Sequence, residues 1–255
     1  MNMKVKKTSQ RKTKIICTLG PATDEGDILR RLFINGMDVA RMNFSHGTHE
    51  EHLQRVEYFK SIRDELGMPV GLMLDTRGPE IRIKQFVNRE VTLAGGSVFT
   101  FTTRDVAGTD TIVSVAYAGF PGVVRKGDTL LLDDGLVGMK VIGVDETEVT
   151  CEVIYGGVLS NNKKINIPGA ANNLPFITEK DRGDIIFGIK NDFDFIAASF
   201  VRTSNDIKEL REILRKNNGE GIRIISKIEI REGVENIDDI IRVSDGIMIA
   251  RGDMG

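Results

Sequence analysis

Three polar stretches of this chain each close an apolar run that reads as a strand. They are Arg41-Met42-Asn43-Phe44-Ser45-His46, Asp75-Thr76-Arg77-Gly78-Pro79-Glu80-Ile81-Arg82, and the pair Lys227-Ile228-Glu229 with Ala250-Arg251-Gly252-Asp253. If the strands are parallel, these groups gather at the carboxyl edge of one sheet, where α/β proteins bind ligands. Carboxylate and hydroxyl oxygens suit hard cations, guanidinium forks suit phosphate, and Lys227 stands two residues from a carboxylate.

Side chains alternate along a strand, so Arg41, Asn43 and Ser45 share a face, as do Lys227 and Glu229. Ile224, Ile225 and Ile228 make the Lys227 segment look internal, where a charged pair is costly unless it binds something. The competing reading is a surface ion pair on an edge strand. Glu229 and Asp253, at the ends of neighbouring strands, would suit Mg²⁺ with water and substrate oxygens completing the shell. Asp253 could instead cap a helix after Gly252. Asp75 and Thr76 beside Asn43 and Ser45 offer a neutral-rich oxygen set for a large monovalent cation, or else only a strand-to-linker turn. His46 and His49 lack zinc spacing, and His46 reads as a turn or nucleotide-side residue.

Elements that would position these groups alternate strand and helix. Strands are expected at Lys14–Leu19, Val39–Phe44 and Pro69–Asp75. A helix with Asp24 and Glu25 in its first turn follows the first strand, and a capping box, Thr48 with Glu51, opens the second helix. After Pro79 helical periodicity vanishes. Short Val/Thr/Leu-rich strands appear at 90–93, 97–101, 111–115, 129–132, 137–144, 149–154 and 164–167, a pattern for a small all-β barrel. Asp133-Asp134-Gly135 and Gly156-Gly157 read as hairpin turns. Alternation then resumes, with a capping box at Thr178–Asp181, strands at 193–200, 223–229 and 246–250, and Ser204 capping the intervening helix.

The domains expected are therefore 1–78 and 175–255 of one α/β unit, interrupted by a β-barrel insert at 79–174. Six strands make neither of the common closed folds, a (β/α)₈ barrel needing two more, so the chain reads as a fragment of a longer protein.

Bulk properties exclude several classes. Hydrophobic content of 40% and charged content of 28% over 255 residues are those of a globular protein. A net charge of −2 gives no reason to expect nucleic acid or an acidic membrane as partner. The basic start (Lys4, Lys6, Lys7, Arg11, Lys12, Lys14) reads as a solvated tail without the apolar core of a signal peptide. Cys17 and Cys151, far apart, read as buried reduced thiols and fit a cytoplasmic setting.

Arg-Met-Asn-Phe-Ser-His-Gly, Asp-Thr-Arg-Gly-Pro-Glu-Ile-Arg, Ser-Lys-Ile-Glu and Ala-Arg-Gly-Asp-Met-Gly, in this order, closely resemble the pyruvate kinase family. Leu130-Leu131-Leu132-Asp133-Asp134-Gly135 and Asn166-Ile167-Pro168-Gly169 extend the resemblance through the insert. It implies an α/β fold, a (β/α)₈ TIM barrel here incomplete with about six strands and an inserted β-barrel domain. It also implies glycolytic phosphoryl transfer from phosphoenolpyruvate to ADP, giving pyruvate and ATP. The implied cofactors are Mg²⁺ (or Mn²⁺) and K⁺, and the implied parent is a cytoplasmic homotetramer. Carried over by position, Glu229 and Asp253 would hold Mg²⁺, while Asn43, Ser45, Asp75 and Thr76 would hold K⁺. Arg41, Arg82 and Lys227 would be catalytic, with Arg41, Lys227, Gly252 and Asp253 on the substrate. Asn43, Phe44, Ser45, His46, Arg82 and Lys163 would line the nucleotide.

The chain departs from the pattern at Ile230, usually Asn, and at Lys164, usually Gly, which lets Lys163 and Lys164 exchange roles. The enolate-side threonine would lie beyond Gly255, so no proton donor is assigned and the chain alone is expected to be inactive. The rival readings are a Mg²⁺-dependent carbon–carbon lyase of the related barrels and a non-catalytic fragment. The insert and Asp-Thr-Arg-Gly-Pro argue against the lyase.

Overall fold

The computed structural model describes residues 11–133, 135–168 and 174–251. Their order begins β1 (Ile16–Leu19), α1 (Pro21–Asp24), α2 (Ile28–Ile34), β2 (Val39–Asn43), α3 (His49–Leu66) and β3 (Gly71–Asp75). The one helix expected after Gly20-Pro21 is two. Glu25 is the C-cap of α1, and the weak helix former Gly26 lies in the break. α3 starts as its sequence predicts: the Thr48 hydroxyl accepts from the Glu51 amide (3.3 Å), and the Glu51 carboxylate accepts from the Thr48 amide (2.9 Å).

The insert holds β4 (Ile81–Arg82), β5 (Glu90–Leu93), β6 (Val98–Thr102), β7 (Ile112–Ser114), α4 (Phe120–Val123), β8 (Thr129–Leu132), β9 (Val137–Val144), β10 (Glu148–Tyr155), β11 (Gly157–Ser160) and β12 (Lys164–Asn166). After it come α5 (Glu179–Lys190), β13 (Phe195–Ala198), α6 (Ser204–Lys216), β14 (Arg223–Ile228), α7 (Arg231–Glu235), α8 (Ile237–Val243) and β15 (Gly246–Ile249). The N-cap of α6 is Thr203 rather than Ser204, and the Thr203 amide donates to Asp206 Oδ2 at 3.0 Å.

By contacts the chain divides into 1–79 with 176–255, and 80–175. In the first unit six strands form one parallel sheet in the order β1-β2-β3-β13-β14-β15. Every step runs the same way, so right-handed crossovers put every helix on one face. A doubly wound sheet would reverse direction; a barrel does not. This is the (β/α)₈ barrel fold, with six of its strands among the described residues.

Alternation does the rest. Leu72, Leu74, Ile196, Ala198, Ile224 and Ile228 pack with Phe33, Val56, Phe59, Ile185, Ile207 and Leu210 in one core beneath the helices. The intervening residues, among them Arg41, Asp75, Ala197 and Lys227, stand outside that core, on the opposite face.

The insert forms a seven-stranded sheet, β4-β12-β8-β9-β10-β6-β7, and a ribbon of β11 with β5. Its two outer strands meet. Ile83 bridges Val115, the Lys84 amide donates to Ser114 O (2.7 Å), and the Ala116 amide donates to Arg82 O (2.8 Å). The sheet thereby closes and leaves no long open edge. Phe99, Phe101 and Phe120 are fully buried in its core, with edge-to-face ring contacts at 5.3 and 5.8 Å.

Several expectations change. Asp133 and Gly135 do form the β8–β9 hairpin; Asp134 lies outside the described residues. Gly156-Gly157 is not a hairpin turn, because β10 pairs with β6 and β9 while β11 pairs with β5. A Cβ at Gly156 would fall 1.9 Å from Leu93 O, so close packing rather than turning demands glycine. Cys151 is buried and its thiol is pushed up to about 12 by desolvation, whereas Cys17 is only half-buried. Arg11 is no free tail: it donates to Gly36 O (2.6 Å) and pairs with Asp38 (3.1 Å). Lys4, Lys6 and Lys7 lie outside the described residues.

Two separate cores predict two separable stabilities. Phe101→Ala should cost the insert about 3–5 kcal/mol. Hydrogen exchange should then speed up in β6, β9 and β10 and stay unchanged in β13 and β14; equal loss in both units would contradict separate cores.

Candidate functional site

The site centres on Lys227, which lies on an internal strand and is 9% exposed. Its ammonium contacts Ser199 Oγ at 2.8 Å, Glu229 Oε1 at 2.9 Å and Asp75 Oδ1 at 3.0 Å. An ammonium has three donors, and here each has an acceptor. The edge-strand alternative is thereby excluded.

Register explains the convergence. Asp75 pairs with Ala197, and Ala197 with Ile225. Ser199 and Lys227 lie two residues further along their chains, on the same face as Asp75. The lysine stem reaches back to the Asp75 level. On the other side, Arg41 Nε donates to Asp75 Oδ2 at 2.5 Å and Arg41 Nη1 to Thr18 Oγ1 at 2.7 Å. Asp75 thus joins the two cations.

The β13 turn completes the cluster. The Ser199 hydroxyl donates to Thr76 O (2.6 Å), and the Ser199 amide donates to Thr76 Oγ1 (3.0 Å). Phe200 adopts φ +56, and its amide donates to Glu229 Oε2 at 2.7 Å. A non-glycine residue there is strained, and it is held by its surroundings. Gly78, at φ +75, is one such neighbour: a Cβ on it would fall 2.9 Å from Ser199 Cβ and 2.8 Å from the Phe200 ring.

Electrostatics follow from this packing. Burial lowers the Lys227 pKa, but Asp75 and then Glu229 more than offset it and hold it above lysine's ordinary value. The lysine is therefore a fixed positive charge. Arg41 is partly exposed beside it, and an anion placed there would meet both.

The other predicted residues fall as follows. Asn43 Oδ1 accepts from the Ser45 amide at 3.0 Å, closing a turn after β2. Asn43 sits opposite Asp75 in the sheet, which brings the proposed monovalent set onto adjacent strands. The Thr76 hydroxyl is turned inward to Ser199. The Phe44 ring is fully buried and stacks on His52 at 4.0 Å, so it cannot line a nucleotide; it belongs to the helix-facing side of β2. His46 is exposed.

In the insert, Arg82 donates to Glu80 (2.8 Å) and to Asn162 O (2.9 Å), and Lys163 donates to Asp133 (2.6 Å). Lys164, paired with Arg82 in register, instead approaches Glu80 at 3.7 Å. Gly252 and Asp253 lie outside the described residues.

Sequence reasoning missed Ser199, Thr18 and the Phe200 amide. The signal for Ser199 was available: it lies two residues beyond Ala197 on the non-core face, a polar residue at the end of an apolar strand. The donor set fits the implied cations. Glu229 is a buried carboxylate of the hard-oxygen kind that Mg²⁺ takes, and Asn43, Ser45, Asp75 and Thr76 are oxygen donors only. Among the described residues no group of three His, Cys, Asp or Glu gathers tightly enough to hold a metal, and Mg²⁺ commonly takes one or two carboxylates with water or substrate oxygens.

A sheet wound in one direction, with buried opposite charges gathered beyond the carboxyl ends of its strands, defines a barrel-type α/β domain with a charged cluster at the edge where such folds bind ligands. The family model described as "Pyruvate kinase, barrel domain" matches residues 10–255. The chain is 50% identical over 247 residues to a pyruvate kinase of Bacillus licheniformis, covering 96% of this chain and 42% of that protein. It is 46% identical over 245 residues to one from Clostridium perfringens, covering 96% of this chain and 52% of that protein. The chain belongs to the pyruvate kinase family, and it spans about half the length, or less, of these curated relatives. Ile230, the departure noted in sequence, is the N-cap of α7, where its side chain makes no hydrogen bond.

Removing one partner of a buried ion pair costs more than removing both. Lys227→Met should destabilise the chain by about 3–5 kcal/mol in urea unfolding, and adding Glu229→Gln should recover part of that loss. Simply additive costs would show that the two charges do not depend on each other.

Proposed function

We propose that these residues form the phosphoryl-transfer site of a pyruvate kinase, which moves the phosphoryl group of phosphoenolpyruvate to ADP. One phosphorus–oxygen bond to the enol oxygen breaks and one to the ADP oxygen forms; the enolate takes a proton to become pyruvate. The observation that carries this reading is the Lys227 ammonium, buried and fixed between Asp75 and Glu229 with Arg41 alongside.

Both the migrating group and the enolate left behind are anionic, and transfer needs mainly positioning and charge neutralisation. Lys227 neutralises the charge that grows as the bond breaks. The Arg41 fork orients phosphoryl oxygens. Asp75 and Ser199 hold both cations in place before substrate arrives. Glu229 and Asp253 would hold Mg²⁺ (or Mn²⁺), which supplies a Lewis acid for substrate oxygens. Asn43, Ser45, Asp75 and Thr76 would hold K⁺. The Gly252 amide receives the substrate carboxylate. Asn43, Ser45 and His46 take the nucleotide, Phe44 contributing backbone alone; within the insert the candidate nucleotide residues are Arg82 and Lys163. A cytoplasmic homotetramer belongs to the same reading. Among the described residues no helix is long and apolar enough to cross a membrane.

In an assay at the full length of the relatives, Lys227→Met should lower kcat for pyruvate formation by at least about 100-fold, with phosphoenolpyruvate binding held within about threefold. Glu229→Gln should weaken Mn²⁺ binding, followed by electron paramagnetic resonance, at least about tenfold. Near-normal turnover by Lys227→Met would remove the lysine from the mechanism.

A further inference from the structure

The turn between β2 and α3 carries Asn43 and Ser45 and is held from behind by two helices. Lys180, on α5, donates to Phe44 O (2.7 Å) and to Asp184 Oδ2 (2.6 Å), whose other oxygen lies 2.8 Å from His49 Nε2. His52, in α3, reaches back to the same turn. Its Nε2 lies 2.9 Å from His46 O, and its ring stacks on Phe44 with 14° between the planes.

His52 is 3% exposed, and its second nitrogen, Nδ1, is buried without any hydrogen-bond partner. The acceptor at Nε2 is a carbonyl, so Nε2 carries the proton. Desolvation lowers the ring's pKa, which leaves Nδ1 bare. An unpaired buried nitrogen is rare and destabilising. A phenylalanine would keep the stacking without that orphan. What imidazole adds over phenyl is a single donor, and that donor is spent on His46 O.

The turn is short enough for this bond to matter. The Ser45 amide donates to Asn43 Oδ1 (3.0 Å), the His46 amide to Asn43 O (3.4 Å), and the Phe44 amide to Asp75 O (2.9 Å). The His46 amide is tied to Asn43 O and the His46 carbonyl to His52, so this bond clamps the far end of the turn whose earlier residues are Asn43 and Ser45.

We infer that His52 is a positioning residue: it holds the β2–α3 turn so that Asn43 and Ser45 face a monovalent cation together with Asp75 and Thr76. This rests on the cation assignment proposed above. Groups that orient metal ligands typically carry about 10–100-fold in affinity.

The test follows thermal unfolding of the full chain in KCl against tetramethylammonium chloride at constant ionic strength. Wild type should gain stability as K⁺ saturates. His52→Phe should raise the half-saturating K⁺ concentration about tenfold while unfolding at the wild-type temperature in tetramethylammonium. His52→Gln, whose amide can reach the carbonyl, should return to within about threefold of wild type. His52→Phe titrating like wild type, or already less stable without K⁺, would overturn the proposal, since the donor would then serve nothing or the fold alone. A wild type indifferent to K⁺ would fail the cation assignment only. Hydrogen exchange at the Ser45 and His46 amides then decides: faster in His52→Phe supports positioning, and unchanged exchange overturns it.

Discussion

A buried ammonium with all three donors committed is the constraint on which this unit depends. The acceptors of Lys227 come from three adjacent strands or their ends: Asp75 closes β3, Ser199 follows β13, and Glu229 follows β14. The adjacency of β3, β13 and β14 in one parallel sheet brings these three together. The segment between β3 and α5 must leave the sheet and return beside its point of departure. Asp181 secures both passages: its Oδ1 accepts from the Gly78 amide (3.0 Å), and its Oδ2 accepts from the Thr178 hydroxyl (2.6 Å). One buried carboxylate thus caps α5 and anchors the last residues before the insert.

Charge balance explains why the cluster tolerates burial. Two cations, Arg41 and Lys227, face two carboxylates, Asp75 and Glu229, and short hydrogen bonds use the oxygens. Isolated charges there would be prohibitive, whereas paired and bonded ones are sustained. Under the proposed reading, an anion arriving with a cation would find each of its charges matched by an opposite one already fixed. That electrostatic argument and the family membership support the same reading independently.

Patterns that repeat locally were legible in the sequence. β5, β8 and β9 fall where alternation and turn residues put them, and the Thr48 capping box starts α3. The pairing of Lys227 with Glu229 on one face followed from their spacing. What escaped depended on tertiary pairing. β4 is two residues long and β11 opens on glycine, so neither has a pattern of its own, and each exists because a partner strand holds it. Phe44 shows the same limit inside a motif: its neighbours face the site, but alternation turns its ring into the helix-side core. Ser199 gains its role only from residues distant in sequence, and His52 from the way the β2–α3 turn folds back onto its own helix.

The account turns on Lys227 being charged inside the protein. Its pKa is raised on folding, so its contribution to stability is fully present below lysine's ordinary value of 10.5 and is lost as pH rises through the higher folded value. Carbon-13 NMR of labelled lysine side chains, with Lys227→Met to assign the resonance, reads this directly. The Lys227 signal should remain that of an ammonium at pH 10.5, where exposed lysines are half titrated. A Lys227 signal that titrates at or below that value would contradict a fixed buried charge at the centre of the site.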